Sequence, residues 1–148
     1  MTRVPVSPAG VAVTIAAALA VVAGLVTLGT PSHARELRLD ELRTEDLAHL
    51  SDAVDEYWTK HASLPLTLDS LVSQRQLDRV PTDPKTSSAY TYLASGARSY
   101  RLCATFAQPF DSSSSRRYAD GVDLGKHSWR HGAGESCFDL TAPVKESK

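Results

Sequence analysis

Cysteine is scarce in this chain of 148 residues, with only two present. That is too few for a disulfide-dense miniprotein or a four-cysteine zinc site. Positive charge is not in excess: 16 Lys and Arg stand against 17 Asp and Glu, for a formal net charge of -1. A general nucleic-acid binder needs a strong positive field, so nucleic acid is not an expected partner. The chain has no Gly-x-Ser-x-Gly elbow, no glycine-rich phosphate loop and no Cys-x-x-Cys motif. Nucleophilic catalysis needs a nucleophile, a base and an orienting group in contact, and no motif supplies that set. The expectation is a non-enzyme without a cofactor.

Charge is also absent from one long stretch. After Arg3 the next formally charged residue is Arg35. Val11 to Leu28 is Val, Ala, Ile and Leu, interrupted only by Thr14, Gly24 and Thr27. A helix from Gly10 to Gly29 covers roughly 30 Å, the hydrocarbon thickness of a bilayer. Residues 1–34 therefore read as an N-terminal tail and transmembrane anchor in contact with inner-membrane lipid. Ser32-His33-Ala34 after Pro31 gives the alternative of a cleaved signal segment, but the run is longer than a typical signal core. Arg35, Arg38 and Arg43 follow the segment and oppose export by the positive-inside count, yet long domains translocate largely regardless of such charges.

A hydrophobic fraction of 42% is too high for a wholly disordered chain. From Arg35 to Lys60, Leu39, Leu42, Leu47, Leu50, Val54 and Tyr57 recur at helical spacing, which predicts a long amphipathic helix with an acidic, solvated face. Leu64-Pro65 ends it. Thr67 is placed to cap a short helix carrying Leu68, Leu71 and Val72. Pro81-Thr82-Asp83-Pro84 reads as a rigid turn.

Strand signals follow. Ala89 to Leu93 and Ser99 to Phe106, separated by Ser95-Gly96-Ala97-Arg98, predict a hairpin. Glu135 to Leu140 predicts a third strand. If Phe138 and Leu140 share a core with Leu102 and Phe106, then Cys103 and Cys137 lie together on the opposite face of the sheet. Adjacent antiparallel strands would bring them within bridging distance. The bond would close a loop of about 35 residues and contribute roughly 3–4 kcal/mol. Two free buried thiols are the alternative.

The stretch from Ala107 to Gly134 is long and irregular. Basic residues outnumber acidic ones between Arg75 and Arg130, so an acidic helix faces a basic remainder. Arg116, Arg117, Trp129 and His131 form the expected interaction loop, since an aromatic beside basic residues suits an interface. Packing over the disulfide is the competing reading for Trp129 and His131. His127 and His131 are spaced like helical metal ligands, but Gly132 and Gly134 oppose a helix, so no metal site is expected. Asp120 and Asp123 beside Gly121 suit an ordinary turn better than a calcium site.

The series of elements resembles type IV pilins, most closely the major pseudopilin of type II secretion. The residues that carry the likeness are Asp55-Glu56-Tyr57-Trp58, Leu64-Pro65, Leu68, Leu71 and Val72, Pro81 to Pro84, Tyr90-Thr91-Tyr92 and Tyr100-Arg101-Leu102-Cys103. The chain also resembles a group of uncharacterised proteobacterial single-pass membrane proteins, through the same series and His131-Gly132-Ala133-Gly134-Glu135-Ser136-Cys137-Phe138. Ile15 stands where the pilin glutamate that guides assembly would be, so the resemblance implies the fold more than fibre formation.

Together these readings give an α+β, pilin-like expectation: a transmembrane helix, then a long amphipathic helix packed on a small antiparallel three-stranded sheet. The domain would occupy residues 35–142 and face the periplasm, with a flexible tail at 143–148. The expected function is a membrane-anchored accessory or scaffold subunit of a bacterial envelope complex, bound to membrane-protein partners. The alternatives are a pseudopilin-like subunit of a secretion or pilus system and a periplasmic ligand- or metal-binding module.

Overall fold

A computed structural model describes residues 8–28, 31–110 and 127–144, and the side chains of all these except 25–28. The chain forms two compact units, Met1–Arg35 and Glu36–Lys148.

Helix α1 is Pro8–Leu28. Alanine and glycine make up much of it and offer little apolar area per residue. Among the described residues no helix is long and apolar enough to cross a membrane. This overturns the expected transmembrane anchor and the single-pass inner-membrane placement that rested on it.

Helix α2 is Pro31–His61. Pro31 opens it, where a fixed φ and a missing N–H cost nothing. It closes on Ala62 at φ 55, whose N–H donates to the Trp58 carbonyl at 2.8 Å. Its inward face follows the expected stripe through Leu47, Leu50 and Val54, each fully buried. Toward its N-terminus the stripe fails. Leu42 is exposed, while Asp40, Arg43 and Thr44 are buried. The reason is what this part of α2 meets: a polar turn and strand end, described below, instead of apolar side chains.

Helix α3 is Asp69–Ser73, with Leu68 and Leu71 turned into the core. Leu68 occupies its N-cap and no side chain caps it; the Thr67 hydroxyl meets Ser70 Oγ instead.

Strands β1 (Thr91–Ala94), β2 (Ser99–Phe106) and β3 (Gly134–Thr141) form one antiparallel sheet in the order β1-β2-β3. Tyr100, Leu102, Ala104 and Phe106 of β2 alternate inward with Phe138 and Leu140 of β3. They join Leu47, Leu50, Val54 and Leu71 in one core. The fold is α+β, with helices packed on a small three-stranded antiparallel sheet, as the periodicities predict.

Cys103 stands directly opposite Cys137, and the two form a disulfide. The shared parity of the flanking core residues put both sulfurs on the outer face, as the alternation requires.

Candidate functional site

The site is built from the turn that precedes β1. Asp83 caps its own turn: Oδ1 accepts the N–H of Lys85 at 2.9 Å and of Thr86 at 2.8 Å. Proline on both sides, at 81 and 84, stiffens the same segment. Arg43 reaches this turn from α2. Its Nε donates to Asp83 Oδ2 at 2.6 Å, and its Nη1 to Asp40 Oδ1 at 2.6 Å. Asp40 also accepts the backbone N–H groups of Ala107 at 2.9 Å and Gln108 at 2.8 Å, where the chain leaves β2. One buried guanidinium thus ties α2 to the turn before β1, and through Asp40 to the end of β2.

Arg43 and Asp83 are held in their ionised forms. Burial pushes the Asp83 carboxyl up, but hydrogen bonds from Arg43 and from the Thr86 and Lys85 N–H groups outweigh it and hold the group below its ordinary value. Burial pulls the Arg43 guanidinium down, and its bonds to Asp83 and Asp40 more than reverse that. Nearby, the Tyr90 hydroxyl donates to Asp46 Oδ2 at 2.7 Å. Burial raises both groups above their ordinary values.

The same turn borders the sheet edge. The register pairs Thr91 with Cys103 and Leu93 with Arg101, so its continuation would put Ala89 opposite Thr105. Ala89 instead bridges Thr82, across the turn that Arg43 holds. Strand β1 consequently stops at Thr91 while β2 runs on to Phe106.

The direction of the vacated backbone follows from alternation. In an antiparallel pair, residues whose Cα atoms are about 4.5 Å apart exchange no hydrogen bonds with each other. Cys103 and Cys137 are 4.1 Å apart, so the N–H and C=O of Cys103 point to β1. The Ser99 carbonyl accepts the N–H of Ser95 and Gly96 on that same side, in agreement. Thr105, two residues beyond Cys103, therefore turns its N–H and C=O to the β1 side. Among the described residues no backbone group pairs with them there.

A groove of about 460 Å³ lies at this point. Its floor is Cys103 to Ala107, and its walls include Glu36 and Arg43 of α2, Lys85, Thr86 and Ser88 to Tyr90 before β1, and Thr91 at its start. Ala104 and Phe106 turn inward from the floor, and Thr105 is exposed.

The residues expected to form an interaction loop are elsewhere. Arg116 and Arg117 lie outside the described residues. Trp129 is only 3% exposed and packs edge-on to Phe138, with ring centroids 4.9 Å apart. It belongs to the core. His131 stacks on Phe106 at 3.5 Å, and burial lowers its pKa. The structure thus places Trp129 in the core against Phe138, the packing reading that competed with a contact role. Asp120 and Asp123 also lie outside the described residues.

The chain matches no protein-family model, no curated protein and no solved structure. The resemblance to type IV pilins and pseudopilins, and to the proteobacterial membrane proteins, is overturned. The short motifs that carried it each have a local packing role. The Pro65 carbonyl accepts the Tyr92 hydroxyl at 3.0 Å, Asp83 receives Arg43, and Tyr90 meets Asp46. Such contacts suit any helix laid on a small sheet. The membrane-anchored envelope subunit and its pseudopilin alternative are corrected with it, since both needed the anchor. The metal-binding alternative finds no support there either: among the described residues no group of three or more His, Cys, Asp or Glu side chains is placed to hold a metal ion.

Arg43, Asp40 and Thr105 were not singled out by sequence. Asp40 and Arg43 carried a faint signal, being three apart on the side of α2 that buries its stripe. Thr105 carried none, because its exposure depends on where Ala89 goes.

Proposed function

We propose that this domain is a non-catalytic recognition module that takes up an extended peptide segment at the open end of β2. The observation that carries the reading is Thr105. Its backbone N–H and C=O face a groove at the position where the register calls for a further strand residue. A peptide laid along Ala104 to Phe106, in line with β1, would complete the ladder by strand addition. Main-chain hydrogen bonds would supply affinity, and the groove walls would supply selectivity.

The test is a random nine-residue peptide library selected on the oxidised full chain, followed by amide shift mapping. Selected peptides are expected to shift the Thr105 amide and to lose binding to Thr105→Pro. Proline is tolerated at an open edge because the missing N–H served no ladder bond. Unchanged binding to a folded Thr105→Pro, shifts confined to another surface, or an empty selection overturns the reading.

A further inference from the structure

We infer that the peptide taken up at the end of β2 carries a basic side chain at the residue opposite Thr105. This rests on the strand-addition reading above and specifies its partner.

The warrant is the balance of charge around the groove. Glu36, Asp83 and Glu135 line it with Arg43 and Lys85. The two cations are already engaged. Arg43 is spent on Asp40 and Asp83 at 2.6 Å each. Lys85 Nζ donates to Glu36 Oε1 at 2.7 Å. The acids are less completely matched. Glu36 Oε2 is buried and has no hydrogen-bond partner among the described residues. Glu135 is exposed and enters no ion pair among them. What the groove lacks is therefore a donor with positive charge. An acidic peptide would face two carboxylates with no unengaged cation among the described groove residues to answer it.

The geometry of strand addition puts a side chain where it can respond. Glu135 stands opposite Thr105 in the β2–β3 register, on the outer face. A peptide residue on the other side of Thr105 projects to that same face. It lies two strand spacings from Glu135, about 10 Å, which a lysine or arginine can span across the small Thr105 side chain. Glu36 borders the same groove from α2. A basic residue there would face Glu135 and share the groove with Glu36, and charge-assisted hydrogen bonds to carboxylate are the stronger kind.

The experiment uses three peptides on one alternating framework, Thr-Val-X-Val-Thr, with X as Lys, Gln or Glu, titrated into the oxidised full chain. Binding is read from the Thr105 amide shift. The Lys peptide is expected to bind about tenfold tighter than the Gln peptide, and the Glu peptide weakest. The Lys advantage should shrink with added salt. Glu36→Gln and Glu135→Gln should each reduce the ratio of Lys-peptide to Gln-peptide affinity. Equal binding of the Lys and Gln peptides at Thr105 overturns the charge inference while strand addition stands. Failure of all three to shift Thr105 removes strand addition, and this inference with it.

Discussion

Arg43 Nε lies 2.6 Å from Asp83 Oδ2, across 40 residues of chain, with both side chains buried. The contact fixes more than one ion pair. It holds against α2 the turn in which Ala89 bridges Thr82, beside the open edge at Thr105. Stability and the proposed site thus share one interaction.

Arg43→Ala is expected to destabilise the domain by about 3–5 kcal/mol, because it leaves Asp40 and Asp83 buried without their cation. Asp83→Asn should cost less, about 1–3 kcal/mol, since Arg43 keeps Asp40. The double variant should cost less than the sum of the two, as expected for groups in one network. Urea unfolding of the four proteins measures this. Additive losses would mean that the two side chains act independently.

Acid should weaken the fold in two stages. His131 has a folded pKa below its ordinary 6.5, so protonation favours the unfolded chain; its contribution is complete above that value and lost as pH falls below it. Asp83 is depressed below 3.8, so its contribution is present above that value and lost as pH falls further. The urea midpoint, followed from pH 8 down to about pH 3, should drop first through the histidine range and then through the carboxylate range. His131→Asn should flatten the first drop and Asp83→Asn the second.

The Cys103–Cys137 bond closes a loop with a sequence separation of 34. Reduction should lower stability by roughly 3–4 kcal/mol. Intact mass should rise by two hydrogens on reduction, with both thiols then open to alkylation. A Cys103→Ala, Cys137→Ala double variant should match the reduced protein and respond to no reductant. Equal urea midpoints with and without reductant would refute the predicted contribution.

Trp129 should behave as a core residue. Trp129→Ala is expected to cost about 3–5 kcal/mol through the cavity it leaves against Phe138. Trp129→Phe should cost much less, because the ring contact is largely kept. In a Trp58→Phe background, Trp129 fluorescence should resist acrylamide quenching until the chain unfolds. Ready quenching of the native protein would return Trp129 to the surface.

Local pattern was a good guide wherever a single periodicity governs burial. The alternation in Tyr100 to Phe106 and in Phe138 to Leu140 placed the core face and the disulfide, because successive side chains of a strand must point to opposite sides. Ser95 to Arg98 turned where expected, and Leu47, Leu50 and Val54 faced inward as their spacing requires. The α2 stripe misled at Leu42, since periodicity counts apolar residues and cannot foresee a carboxylate arriving from a distant turn. The apolar run before Arg35 misled for a related reason: composition alone does not make a spanning helix. The first predicted strand began two residues early, at Ala89, because strand propensity says nothing of which neighbour a residue will bridge.

By itself the sequence determined the class of the fold, the inward face of each strand and the pairing of Cys103 with Cys137. Those follow from the 2.0 and 3.6 periods of the backbone, which act within a few residues. Tertiary structure decided the rest. Whether Arg43 is buried depends on Asp40 and Asp83 meeting it together, and whether Thr105 is open depends on Ala89 bridging Thr82. The first is a long-range choice, set by the fit of an α-helix to a turn 40 residues further on, and the second is a choice of bridging neighbour that strand propensity does not specify.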